Sequence, residues 1–465
     1  KHAHSQRNPE KSWGRYTLET IEFAFFVLNQ LADQRKGKYV PNNTLVIAAS
    51  VSNGGYSSLL AAEQDKKGLI DAVVVAEPNA SLSYNPGFSI RQGNRPSFTA
   101  HSKPLLDYIT LINIYQPCAS TTIANSSAPF NSVPIAFGAS RCDALASLGL
   151  LKTQTAAERA AEAQDILNGY GVIPDSNLVH PSHYTFSVPQ SIAVTYANAY
   201  GRFNVDDNLC GYSFGATIPA AKEGNPDDFG KPIPAVNVET IFTTSSGIPP
   251  TAGINLINNL SPGGPKEDRL SSSASTGKQD MNLDGALCIR SLVTGMDSVK
   301  GGPLTGERLE QHRRIQQGIR ETQMSAHLHG LPVIIVTGRA DAVLEPNHAS
   351  RAYVGLNQLV EGQKSGVRYY EITNAHHLDA FNAFPGFDTR YIPLHHYYLH
   401  ALNMMWSHLK NGSSLAPSQV VRTRPRGGID GKAPPIEGGN LPAIQMSPAQ
   451  DARIIFNRNV LDIPD

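Results

Sequence analysis

Thr44-Leu45-Val46-Ile47-Ala48-Ala49-Ser50-Val51-Ser52-Asn53-Gly54-Gly55 is an apolar run that breaks into a turn of small residues. The run from Thr44 to Ala49 is continuous rather than alternating, and it carries β-branched side chains. That pattern predicts a strand buried on both faces, as in a parallel sheet. Pro41-Asn42-Asn43 bounds it on one side and the glycine pair on the other. Residues 56–65 read as a helix with Leu59, Leu60 and Ala61 inward and Gly68 as its stop. A second buried strand is expected over 71–76. Strand, helix and strand together predict a right-handed parallel crossover.

Ser52 sits where the first strand ends and the helix begins. An α/β-hydrolase places its nucleophile at this junction, on a sharp turn that lifts the hydroxyl off the sheet. Small residues are needed two before and two after it, because strand and helix backbones pass close together. The usual pattern is G-x-S-x-G. Here Ser50 replaces the first glycine, while Gly54 keeps the second and Gly55 adds room. The competing reading is a plain glycine-rich turn with Ser52 as a helix N-cap.

A nucleophilic serine needs a base and an orienting acid, which in this fold follow in the order Ser, Asp/Glu, His. The buried strand Val333-Ile334-Ile335-Val336 leads into Gly338-Arg339-Ala340-Asp341, and residues 367–372 lead into Asn374-Ala375-His376-His377. Both loops leave the sheet edge where ligands bind in open α/β folds. Asp341 is expected as the acid and His377 as the base. His376 is the alternative base, and Asp379 an alternative acid that lies too close in sequence to reach Nδ1 easily. The backbone N–H of Asn53 is the first oxyanion donor by position.

The whole chain has 465 residues, with 39 Lys+Arg against 39 Asp+Glu, 40% hydrophobic and 17% charged. Such a balance suits a globular protein with a sizeable core, not a disordered chain. Zero net charge argues against a nucleic-acid partner, whose phosphates demand excess Lys and Arg. No apolar run approaches the ~20 residues of a membrane span. Cys118, Cys142, Cys210 and Cys288 make no CxxC pair; they leave open two disulfides, in any of three pairings, or buried free thiols. No G-x-G-x-x-G follows a strand, and His395, His396 and His400 on one helix lack the zincin glutamate, so neither cofactor nor metal is expected.

The chain starts at Lys1 rather than Met, and its numbering is expected to begin inside a longer precursor. Only about 50 residues precede Ser52, too few for the sheet strands that usually come first. The chain is therefore expected to be N-terminally incomplete, with only the loop around His2–Trp13 upstream to offer a second oxyanion donor. Residues 1–80 are expected to form a hydrolase core carrying the nucleophile, and 326–465 a second core segment carrying acid and base loops, with a C-terminal extension. Between them, 81–325 reads as a mainly helical and loop insertion forming a lid, with helices at 156–167, 192–200 and 306–323 and all four cysteines. Further helices are expected at 16–28, 348–360 and 393–409, and an edge strand at 453–456.

Ala49-Ser50-Val51-Ser52-Asn53-Gly54-Gly55, the opening Lys1-His2-Ala3-His4-Ser5-Gln6-Arg7-Asn8-Pro9-Glu10, and Thr337-Gly338-Arg339-Ala340-Asp341 resemble the bacterial D-(−)-3-hydroxybutyrate oligomer hydrolases. The likeness covers most of the chain. Members of that family are longer at the N-terminus and share the serine at position 50. The resemblance implies a serine esterase that hydrolyses short 3-hydroxybutyrate oligomers to monomers, with Ser52 as nucleophile. Its substrate is an uncharged polyester ending in one carboxylate, for which Arg91, Arg141 and Arg339 are candidate partners. Family likeness also implies export, secreted or periplasmic, with a cytoplasmic location as the alternative. A tannase- or feruloyl-esterase-like hydrolase and a catalytically inactive α/β-hydrolase binding module are the competing readings. The first often pairs a Cys beside its nucleophile with one beside its base, and neither neighbourhood has one here.

Overall fold

The structure is a computed structural model that describes residues 5–31, 37–218, 229–232 and 254–465. The start of the His2–Trp13 loop, including His2, lies outside the described residues. Pro9–Ser12 forms a 3₁₀ turn rather than open loop, and α1 (Trp13–Leu31) follows directly.

Two compact units divide the chain. One holds Pro9–Leu105, Ile173–Ser176 and Thr322–Asp465. The other holds the residues up to Asn8, Leu106–Val172 and Asn177–Glu321.

The first unit is built on a sheet of five parallel strands in the order β1-β2-β7-β8-β9. These are β1 (Ile47–Val51), β2 (Ala72–Ala76), β7 (Val333–Gly338), β8 (Val367–Ile372) and β9 (Gln419–Val421). Central β2 and β7 are buried along their whole length, as their unbroken apolar sequences require. Edge strand β1 is more open, with Ala49 and Val51 exposed. Alternate side chains feed two cores. Val73, Val75, Val333 and Ile335 pack with α2 (Ser52–Gln64), α10 (Ser350–Glu361) and part of α1. Val74, Ala76, Ile334 and Val336 pack with α11 (Leu394–Asn411) through Tyr397, Ala401 and Met405. An edge strand was expected at 453–456. β10 (Ile455–Asn457) lies at the edge of a separate three-stranded sheet with β11 (Val460–Ile463) and β3 (Ser89–Gln92), while Arg453 bridges Gln419 of β9.

Helix α2 begins at Ser52 rather than Tyr56, because Gly54 and Gly55 take helical rather than turn conformations. Gly55 is needed for closeness: a Cβ there would lie 3.0 Å from Cα of Pro78.

The other unit is largely helical: most of α3 (Leu105–Ala119), then α4 (Ser132–Ser147), α5 (Ala156–Gly169), α6 (His180–Thr185), α7 (Val188–Gly201), α8 (Leu283–Thr294) and α9 (Gly306–Arg320). It also carries a small antiparallel sheet of β4 (Tyr212–Gly215), β5 (Asn255–Asn258) and β6 (Lys266–Glu267). Disulfides Cys118–Cys142 and Cys210–Cys288 close loops of 24 and 78 residues in sequence separation. Loops of that size are worth about 3–5 kcal/mol each in the chain-entropy account. Arg141 is the polar anchor of the unit. It is fully buried, and all five of its N–H groups donate, to the carbonyls of Asn113, Ile114, Asp280 and Met281 and to the Tyr184 hydroxyl. No helix among the described residues is long and apolar enough to cross a membrane.

Candidate active site

Three loops leave the C-terminal edge of the central sheet and meet. Ser52, the first residue after β1, has φ +55. That left-handed conformation is uncommon for a residue with a Cβ, and it costs on the order of 1–3 kcal/mol unless its surroundings fix it. It turns the Ser52 side chain away from the N-cap position, which Val51 fills. Ser52 Oγ instead lies 3.0 Å from His377 Nε2. The carbonyl of Ser52 accepts from the Asn79 amide at 3.2 Å, and Asn79 Nδ2 donates to Asn53 Oδ1 at 2.9 Å. The loop after β2 thus holds both residues of the turn.

His377 Nδ1 lies 3.0 Å from Asp341 Oδ2. Asp341 is fully buried, and its other oxygen accepts from the amides of Val343 and Leu344, both at 2.8 Å. Two backbone donors on one oxygen leave the other pointed at the imidazole. The loops after β7 and β8 cross tightly at Gly338, where a Cβ would lie 2.5 Å from the carbonyl oxygen of Ala375.

The adjacent histidines have separate environments. His376 is buried against Phe387 and Tyr391, and its Nε2 pairs with Asn382 Oδ1 at 2.9 Å. Burial lowers its pKa to about 4, so it is a neutral part of the scaffold. Asp379 faces the start of α11, where its two oxygens accept from the amides of Leu394 and His395. Helix N-termini favour such an anion.

Sequence reasoning missed Glu77, the first residue after β2. It is buried, has φ +47, and brings Oε2 to 3.4 Å from His377 Nδ1. Burial, then Asp341, push its carboxyl well above the usual range against the pull of His377. At His377, burial opposes the cation, yet Asp341 and then Glu77 outweigh it and raise the imidazole to about 9. Glu77 follows a buried strand into the same sheet edge as Asp341 and His377, which is the signal that could have found it. Among the described residues, Glu77, Asp341 and His377 are also the one group of three metal-capable side chains with donor atoms within 4.8 Å. His395, His396 and His400 form no such group.

The three arginines considered for a substrate carboxylate are all engaged. Arg91 pairs with Asp462, Arg141 is enclosed by its five acceptors, and Arg339 donates to Glu371 at 2.6 Å. All four cysteines are in disulfides of the helical unit, and none lies beside Ser52 or His377.

The family model for 3HB-oligomer hydrolases matches residues 1–465. Proteins named D-(−)-3-hydroxybutyrate oligomer hydrolase from Polaromonas naphthalenivorans and Albidiferax ferrireducens are each 46% identical to it over its full length. One from Paracidovorax citrulli is 44% identical. The chain spans 64% of the length of the first two relatives and 65% of the third. No solved structure matches.

Proposed function

We propose that this chain, which belongs to the 3HB-oligomer hydrolase family, is a serine esterase of α/β-hydrolase type that cleaves ester bonds of 3-hydroxybutyrate oligomers to monomers. The observation that carries this reading is the unbroken relay from Ser52 Oγ to His377 Nε2 and from His377 Nδ1 to Asp341 Oδ2, each at 3.0 Å. Three residues from distant loops that touch in the order hydroxyl, imidazole, carboxyl are hard to explain as a structural accident. The relatives' printed names supply the substrate class.

In this mechanism Ser52 Oγ attacks the ester carbonyl carbon while His377 Nε2 takes its proton. Asp341 keeps the second imidazole proton on Nδ1 and stabilises the cation. The Asn53 amide, at the N-terminus of α2, faces the oxyanion. When the carbon–oxygen bond of the ester breaks, Nε2 returns its proton to the departing alcohol oxygen. Water, deprotonated by the same nitrogen, then attacks the acyl-enzyme. It releases the carboxylic acid and restores the Ser52 hydroxyl.

The intact triad speaks against a binding module that has lost its chemistry, and the placing of the cysteines speaks against the tannase-like reading. Two disulfides fit a protein that matures in an oxidising compartment, secreted or periplasmic. The test is to assay 3-hydroxybutyrate dimer and trimer beside gallate and ferulate esters, with Ser52→Ala as control. Turnover of the oligomers alone, lost in Ser52→Ala, supports the reading. Turnover of the aromatic esters alone would move the chain to the tannase-like class.

A further inference from the structure

We propose that Glu77 is a second carboxyl partner of the His377 imidazole, a positioning residue that tunes the base from the side opposite the nucleophile. The inference rests on the serine-triad reading of the site.

The sheet order makes this placement unavoidable. β2 lies between the strand that delivers Ser52 and the strand that delivers Asp341. The residue that follows β2 therefore emerges between them at the same edge. The Glu77 amide donates to the Val336 carbonyl at 2.8 Å, which ties that residue to β7. Its left-handed backbone turns the side chain inward, where it is 5% exposed. An ordinary residue leaving a strand needs neither the strain nor the burial.

Inside, Oε2 lies 3.4 Å from His377 Nδ1, and Oε1 has no hydrogen-bond partner among the described residues. An unpaired carboxyl oxygen in a buried site costs stability, and folding alone gives no reason to keep it there. The groups that face Glu77 are His377, Asp341, Asp379 and the Gly338 amide. Asp341 Oδ2 takes the Nδ1–H at 3.0 Å, and Glu77 Oε2 stands beside the same nitrogen at ion-pair distance, 3.4 Å. No bond changes hands at this end of the imidazole. The Ser52 proton moves to Nε2, the Nδ1 proton stays on the ring, and the positive charge that develops faces two carboxyl groups instead of one.

The experiment compares kcat/KM against pH for the wild type, Glu77→Gln, Asp341→Asn and the double variant, on a 3-hydroxybutyrate dimer. Glu77→Gln is expected to keep its alkaline plateau within ~10-fold and to shift the acid limb toward lower pH by about one unit, as loss of a carboxylate beside a base requires. Replacing the triad Asp by Asn typically lowers kcat by ~10⁴ through the wrong tautomer. Here the loss in Asp341→Asn is expected to be at least ~10-fold smaller, because Glu77 Oε2, 3.4 Å from Nδ1, is placed to take over as its acceptor, and the double variant should lose the rest.

An acid limb unmoved in Glu77→Gln overturns the proposal. So does an Asp341→Asn variant as impaired as the double. If Glu77→Gln does not fold, Asp341→Asn alone decides, by whether its residual rate exceeds that ordinary loss. Ser52→Ala separates the two levels: activity surviving there would remove the triad reading itself, whatever Glu77 does.

Discussion

Ser50 Oγ occupies the space that a Cβ on Gly54 would need: the two would lie 1.9 Å apart. The strand residue two before Ser52 and the helix residue two after it thus form one packing unit. The serine at position 50 departs from the two-glycine pattern, and the fold accommodates it because position 54 has no side chain.

Gly54→Ala is accordingly expected to destabilise the protein by about 1–3 kcal/mol, the usual cost of overpacking. Adding Ser50→Gly removes the clash and should recover most of that loss. Urea denaturation of the single and double variants checks this; equal destabilisation in both would refute the coupling.

Gly338→Ala drives a Cβ into the Ala375 carbonyl and toward the His376 amide, at 2.5 and 3.0 Å. The base loop must shift to make room. A displacement of about 1 Å near the chemistry costs ~10²-fold in rate. The expected result is a kcat lowered by about that factor, with circular dichroism unchanged.

The raised His377 pKa sets the pH dependence. In the proposed mechanism His377 must be neutral to accept the Ser52 proton, and it loses its own proton only as pH rises through about 9. Esterase activity of the free enzyme is expected to climb with pH well beyond the ordinary histidine range. A kcat/KM profile already flat by pH 7 would contradict the electrostatics described here.

Glu371 anchors the acid and base strands from within. Its two oxygens accept from Arg339 and Arg351, at 2.6 to 2.8 Å, and from the Tyr369 hydroxyl at 2.9 Å. Burial raises its pKa, but Arg351 and Arg339 more than offset this and bring it to about 2. A depressed carboxylate stabilises the fold above its unfolded pKa, near 4.5, and that contribution is lost as pH falls toward 2. Glu371→Gln leaves two buried cations and should cost about 3–5 kcal/mol at pH 7. It should also flatten the loss of stability between pH 4.5 and 2. Chemical denaturation at several pH values measures both effects.

The parallel sheet, and the meeting of Ser52, His377 and Asp341 at one edge of it, were legible in the sequence because their signals are local. Unbroken apolar runs end in loops bearing Ser52, Asp341 and His377, and each loop could be read alone. Choosing between His376 and His377 was harder, since adjacent residues differ only in direction. The pocket of Phe387 and Tyr391 that claims His376 forms only on folding. Glu77 was missed because its meaning depends on strand order: a lone acid after an apolar run looks like solvated loop until β2 is known to lie between β1 and β7. Pairing of the four cysteines was undetermined for a similar reason, as their spacing allows any of three patterns. Arg91, Arg141 and Arg339 looked available in sequence because partners 27 to 371 residues away cannot be read from composition.

Covalent capture of the nucleophile tests the central claim most directly. The chain is treated with an alkyl p-nitrophenyl phosphonate, an analogue of the tetrahedral intermediate, and digested for peptide mass spectrometry as hydrolysis of a 3-hydroxybutyrate dimer is followed. One phosphonyl group per chain on Ser52, formed in step with the loss of hydrolysis and absent when His377 is replaced by alanine, is the predicted result. Full hydrolysis with Ser52 unlabelled, or labelling that falls on another side chain, would contradict it.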